Sequence, residues 1–168
     1  MKGLSLSSAS ESDADEIAAL RNTVAADVAE RSGLSGDARR TTAKGILYDL
    51  RHGQILIARR KDRIVGSLVL VKKKPWAIDV TYFSPVQSQL YVVSMNVDPA
   101  LQRKGIGSQL IEYAKKTAKA GGYEAIRLDA FESSPWAVAF YASCGFSERG
   151  RTIYRAARLV YFECLLGD

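Results

Sequence analysis

The chain has 168 residues, 47% hydrophobic and 25% charged, the proportions of an ordinary globular protein long enough for a sizeable core. No apolar run approaches the ~20 residues of a membrane-spanning helix, the opening Met-Lys-Gly-Leu-Ser is too polar for a secretory leader, and Cys144 and Cys164 are too few for a disulfide framework. The expectation is therefore a single domain over 1–168 in a reducing cytoplasm, without a membrane partner.

The net charge of +6 and pI near 9.4 invite nucleic acid. The dense basic runs, Arg59-Arg60-Lys61 and Lys72-Lys73-Lys74, fall where hairpin ends are expected and read as solvated turns, so a nucleic-acid partner is not expected.

In chain order, Leu4 and Leu6 alternate with serines as a short strand. Ser12 reads as a helix N-cap, with Asp13, Asp15 and Glu16 in the first turn and Ile17, Leu20, Val24 and Val28 at helical spacing over 13–31. A second helix is expected from about Ala38 to Arg51, closed by His52-Gly53, with His52 a cap or surface residue. Residues 54–60 and 64–71 are β-rich and joined by Lys61-Asp62-Arg63, a hairpin. Beyond Pro75, Trp76, Ile78, Val80 and Tyr82 alternate, so a bent or separate strand piece is expected there. The aromatics Trp76, Tyr82 and Phe83 suit either the core or a substrate pocket.

Residues 90–97 form the next strand, with Val93, Met95 and Val97 on one side and Ser94 and Asn96 on the other. Asp98-Pro99 stops it. Gly105-Ile106-Gly107 then opens a helix over 106–120, whose Ile106, Leu110, Ile111, Ala114 and Ala118 share a face. A strand, a glycine loop and a helix N-terminus present unpaired N–H groups to an anion, and Arg103 and Lys104 add charge there. Gly121-Gly122 ends the helix, residues 125–130 form a strand parallel to the previous one, and Ser134-Pro135 opens a short helix that stops at Gly145. Residues 151–154 and 159–165 read as a terminal antiparallel pair.

The spacing at 102–107 fits neither a dinucleotide fingerprint nor a P-loop. With Gln102, Gly105 and Gly107 after Val97-Asp98-Pro99, it resembles the acetyl-CoA-binding motif Gln/Arg-x-x-Gly-x-Gly/Ala of the GNAT family of N-acetyltransferases. The run from Ser134 to Phe146 is similar to a second motif of that family, with Ala137, Phe140, Tyr141, Gly145 and Phe146 in register and Ser134 where asparagine is usual. Element order β-α-α-β-β-β-α-β-α-β-β agrees over nearly the whole chain.

The resemblance implies an α/β fold of the GNAT acyl-CoA N-acyltransferase type, a central mixed sheet splayed around the cofactor with flanking helices. It implies acetyl-CoA as cosubstrate. Backbone groups of Met95 and Val97 would pair with the pantetheine arm, next to Asn96. The amides of Arg103, Lys104, Gly105, Ile106, Gly107 and Ser108 would hold the pyrophosphate, with Ser134 a weakened further contact. It implies a small-molecule or peptide amine as acceptor, and it is compatible with a homodimer. No metal site is expected.

An amine that attacks a thioester must be neutral, yet a lysine-like amine titrates near ~10.4, so a group must accept its proton. The leaving thiolate benefits from a hydrogen-bond donor. Tyr141 falls where family members place a tyrosine beside the cofactor sulfur; its alternative is a buried aromatic. Asp129, on the strand before the second motif, stands where some members carry a base; a salt-bridged strand-end carboxylate is equally compatible. Glu132, or a water ordered by Ser94 or Asn96, is a further option for the base. The reading is acetyl transfer from acetyl-CoA to a primary amine. The alternatives are a different acyl group and a weakly catalytic or non-catalytic acyl-CoA sensor.

Overall fold

A computed structural model describes residues 3–33 and 40–167. Seven strands, β1 (Leu4–Ser8), β2 (Gly53–Arg60), β3 (Arg63–Val71), β4 (Gln89–Val97), β5 (Ala125–Phe131), β6 (Ser147–Tyr154) and β7 (Ala157–Leu165), form a mixed sheet in the order β1-β2-β3-β4-β5-β7-β6. Four helices accompany it: α1 (Ala14–Ser32), α2 (Ala43–His52), α3 (Ile106–Ala120) and α4 (Pro135–Ser143). The chain divides into two compact units, Met1–Leu70 with Ser94–Leu110, and Val71–Val93 with Ile111–Asp168.

In the first unit, β1 pairs antiparallel with β2 from Leu4↔Arg60 to Ser8↔Leu56. Ser12, the expected cap, lies inside a 3-10 turn, Glu11–Asp13, that is capped by Ser10, and Asp13 holds the N-cap position of α1. Ser10 N donates to Asp13 Oδ2 at 2.9 Å around a 3-10 turn, because serine and aspartate three apart close a capping box. Arg59 of β2 then pairs with Asp13 and Glu16, and Glu16 Oε1 accepts from Ile64 N at 2.6 Å, so the acidic first turn of α1 is tied to the β2–β3 hairpin. Helix α2 begins later than expected: Thr42 is its N-cap, accepting from Gly45 N, while the expected start at Ala38 lies outside the described residues.

At Gly66 of β3 a Cβ would stand 2.8 Å from Leu110 and 3.1 Å from Ile106, so glycine there lets the first turn of α3 press onto the strand. Asp98 N donates to Val65 O at 2.9 Å, and its carboxylate meets Arg63 at 3.1 Å, which fixes the exit of β4.

In the second unit, β4 and β5 run parallel from Gln89↔Ala125 to Tyr91↔Arg127. β5, β7 and β6 are successive antiparallel neighbours, with Asp129 opposite Tyr161 and Phe131 opposite Leu159. Both terminal strands are longer than expected.

No strand forms between Trp76 and Tyr82. That stretch is a loop with one 3-10 turn, Val80–Tyr82, and its alternating residues do not share a face: Ile78 is buried while Trp76 is 82% and Val80 46% exposed. Side-chain anchors override the strand-like pattern. The Tyr161 hydroxyl donates to Ala77 O and accepts from Asp79 N at 3.1 Å, and Ile78 and Phe83 pack with Tyr91 and Tyr161. Of the three aromatics left open between core and pocket, Phe83 and Tyr82 join this core and Trp76 does not. Among the described residues no helix is long and apolar enough to cross a membrane.

Candidate active site

The end of β4 and the loop into α3, both in the first unit, carry most of the candidate cofactor residues. Met95, Asn96 and Val97 are half-buried. Ser94 has a φ of 53°, so the side-to-side alternation expected from Val93 to Val97 is interrupted, as a bulge interrupts a ladder. The Asn96 amide bridges the break by donating to Ser94 O at 2.9 Å.

Gln102 Nε2 donates to Val97 O at 3.3 Å and ties the loop back to the strand. Arg103 (φ 60°) and Gly105 (φ 82°) then turn the backbone through the left-handed region. At Gly105 the cost is small because no Cβ opposes it; at Arg103 the conformation is strained. The first α-helical bond of α3 runs from Gln109 N to Gly105 O at 3.1 Å. The amides of Arg103, Lys104, Gly105, Ile106, Gly107 and Ser108 donate to no group among the described residues. Arg103, Lys104, Gly105 and Ser108 are exposed and Gly107 is half-buried. The Ile106 side chain is 1% exposed, so this residue can offer a ligand only its backbone. A run of open N–H groups at a helix N-terminus beside two cations is an arrangement able to receive an anion.

Asp129, Ser134 and Tyr141 lie in the second unit. Arg127 and Asp129 share a face of β5, which makes Arg127 the candidate partner for a salt-bridged Asp129. The two do not pair: Arg127 Nε donates to Glu163 Oε2 at 2.9 Å, its Nη2 donates to Ser84 O at 2.6 Å, and its guanidinium lies 4.9 Å from the Phe83 ring centroid. Asp129 has no ion pair among the described residues, and burial pushes its carboxyl above the ordinary 3.8. Glu132, the other carboxylate considered, is held by Arg151 at 2.6 Å and faces Arg158 at 3.9 Å.

Tyr141 is half-buried on α4, its ring packed against Phe140, Phe146 and Phe162 at centroid distances of 5.2, 5.9 and 6.0 Å. Its hydroxyl makes no hydrogen bond among the described residues. Burial pushes the phenol up to about 12, with Cys144 and Asp129 adding to the shift. Asp129 thus lies within electrostatic reach of Tyr141. The strand register nevertheless sets the two on opposite faces: Asp129 with Tyr161, and Tyr141 against Phe162, which pairs with Leu128. Ser134 is the N-cap of α4 with Pro135 as its first residue, and its hydroxyl accepts no bond from the first turn.

Sequence reasoning missed Glu163 and Tyr161, which hold the 75–84 loop in place. An arginine and a glutamate inside the apolar runs Ala125–Phe131 and Leu159–Leu165 were the available signal, since buried charges come in pairs.

Residues 23–146 match the acetyltransferase (GNAT) family, and the chain belongs to it. It is 30% identical over 97 residues to the uncharacterized N-acetyltransferase YvbK of Bacillus subtilis, a match covering 58% of this chain and 55% of that protein; the chain thus spans about half the length of the curated relative it matches. Among solved structures, it is similar to smu.2055 from Streptococcus mutans UA159, with a TM-score of 0.74, 20% identity, and coverage of 97% of this chain and 99% of that one. It is also similar to yncA, a putative acetyltransferase from Salmonella typhimurium solved with its cofactor acetyl-CoA. There the TM-score is 0.71 at 16% identity, covering 99% and 96% of the two chains. At these identities the structural likeness speaks to the fold.

Proposed function

We propose that the chain transfers the acetyl group of acetyl-CoA to a primary amine by direct attack. The observation that carries this reading is the run of open amides from Arg103 through Ser108 at the start of α3, in a chain of the GNAT family. The residues fit the cosubstrate, because N–H groups and the charges of Arg103 and Lys104 match a pyrophosphate. Acetyl-CoA supplies an acyl carbon activated as a thioester.

Asp129 receives the proton of the amine, directly or through water. Its raised carboxyl makes it a better base than a salt-bridged aspartate, and the Arg127–Glu163 pair keeps the neighbouring guanidinium away from it. Tyr141 donates a hydrogen bond toward the departing sulfur. With its phenol near 12 and a thiol near ~8.5, full proton transfer is uphill by roughly 5 kcal/mol, so hydrogen bonding is the role that fits. Backbone groups of Met95 and Val97, beside Asn96, serve the pantetheine arm, and Ser134 is a lesser contact.

Calorimetric titration with acetyl-CoA tests the loop. Gly107→Val puts a branched side chain among the amides, and affinity is expected to fall at least tenfold with the fold retained. Unchanged affinity in a folded variant contradicts the assignment.

A further inference from the structure

The face of β5 that carries Asp129 has two unlike ends. Two residues back, Arg127 is engaged by Glu163 and Ser84 O and lies against the Phe83 ring. Two residues on, Phe131 is 58% exposed, the one apolar residue of this strand left in solvent. Across the ladder on β7, Tyr161 stands opposite Asp129 and Leu159 opposite Phe131, and both are buried. We propose that Phe131 is the residue that selects the acceptor, so that the substrate is a primary monoamine with an aromatic ring a short chain away from its nitrogen. The proposal rests on the acetyl-transfer reading for its role in the reaction.

Three observations point to this class of amine. The Asp129 carboxylate has no ion pair among the described residues, so an ammonium docking there displaces no other cation. The Phe131 ring is within reach of the same ligand. Two residues along a strand span about 7 Å between Cα atoms, and aromatic rings pair at centroid separations of roughly 4.5–7 Å. A ring joined to the nitrogen by about two carbons therefore meets Phe131 while the nitrogen meets Asp129.

The rest of this face offers nothing to a second charge. Tyr161 commits its hydroxyl to Ala77 O and Asp79 N, and Leu159 is apolar. Glu132 and Arg158 line a shallow depression at the strand end together with Phe131, but the register sets them on the other side of the sheet, where Glu132 holds Arg151 at 2.6 Å. A diamine or an amino acid thus brings a second charge that finds no partner beside Asp129. An aryl group instead covers apolar surface that is already exposed.

Titration of the chain with 2-phenylethylamine, ethylamine and 1,4-diaminobutane, followed by NMR, tests the selectivity without requiring turnover. Acetyl-CoA-dependent acetylation of the same three tests its link to the reaction. 2-Phenylethylamine is expected to bind roughly tenfold tighter than either comparison amine, the scale of one aromatic pair together with the area it covers. Added salt should weaken all three and leave that preference in place, because the ring contact is not ionic. Phe131→Ser, at an exposed position, should remove the preference, and Phe131→Tyr, which keeps a ring, should retain it. Equal binding of 2-phenylethylamine and ethylamine, or a preference untouched by Phe131→Ser, overturns the proposal. Acetylation of all three amines with equal kcat/KM also overturns it and leaves acetyl transfer standing. A preference seen in binding but without acetylation of any amine upholds the aromatic subsite and refutes acetyl transfer.

Discussion

Tyr141→Phe removes one hydroxyl that makes no hydrogen bond among the described residues and leaves the packing of its ring intact. Turnover is expected to fall by about 10²–10³, the usual effect of losing one donor to a developing anion, while acetyl-CoA affinity stays constant. Steady-state rates at saturating cosubstrate read this directly, and wild-type turnover would make Tyr141 a packing residue only. Because the phenol lies near 12, it should contribute no alkaline limb to the rate profile below about pH 10. Asp129 carries the complementary prediction. Its folded carboxyl titrates above its ordinary value, so the folded state holds the proton more tightly than the unfolded chain. Stability therefore falls as pH rises from below about 4 through the folded value, and stays lower above it. Asp129→Asn should raise the Tm at neutral pH while lowering kcat and abolishing the acidic limb of the rate profile. A lower Tm, or an unaltered rate profile, contradicts the role of base.

At the scale of elements, helix α3 shows what was legible. Its expected bounds, 106–120, are those observed, and all five apolar positions named for its inner face are at most 1% exposed. Periodicity decides when a helix has one wet and one dry side. The loop at 75–84 shows the reverse, because Trp76 to Tyr82 alternate like a strand while the backbone is claimed by Tyr161 and by the Arg127–Glu163 pair. Contacts between residues some eighty positions apart leave no mark in a local pattern. A separation of 36 positions likewise hid the status of Asp129, which depends on whether Arg127 has another partner. Glu163→Gln leaves Arg127 buried without its counter-charge and weakens the hold on Ser84 N. A loss of about 3–5 kcal/mol is expected, with faster hydrogen exchange in the 75–84 loop. Chemical denaturation with loss below about 1 kcal/mol would show that the pair does not organise this loop.

For the whole molecule, element order and the two motifs were enough to place the chain in its family, because both describe local backbone: a glycine turn into one helix and a proline start of another. The acceptor was not legible, since residues that recognise it need share no spacing. The central claim, amine-dependent acetyl transfer, is tested most directly by following free CoA thiol during incubation of the chain with acetyl-CoA and a panel of primary amines. The account predicts release well above the water-only rate with at least one amine. Tight acetyl-CoA binding with release no faster than in water for every amine would contradict it and leave an acyl-CoA sensor in its place.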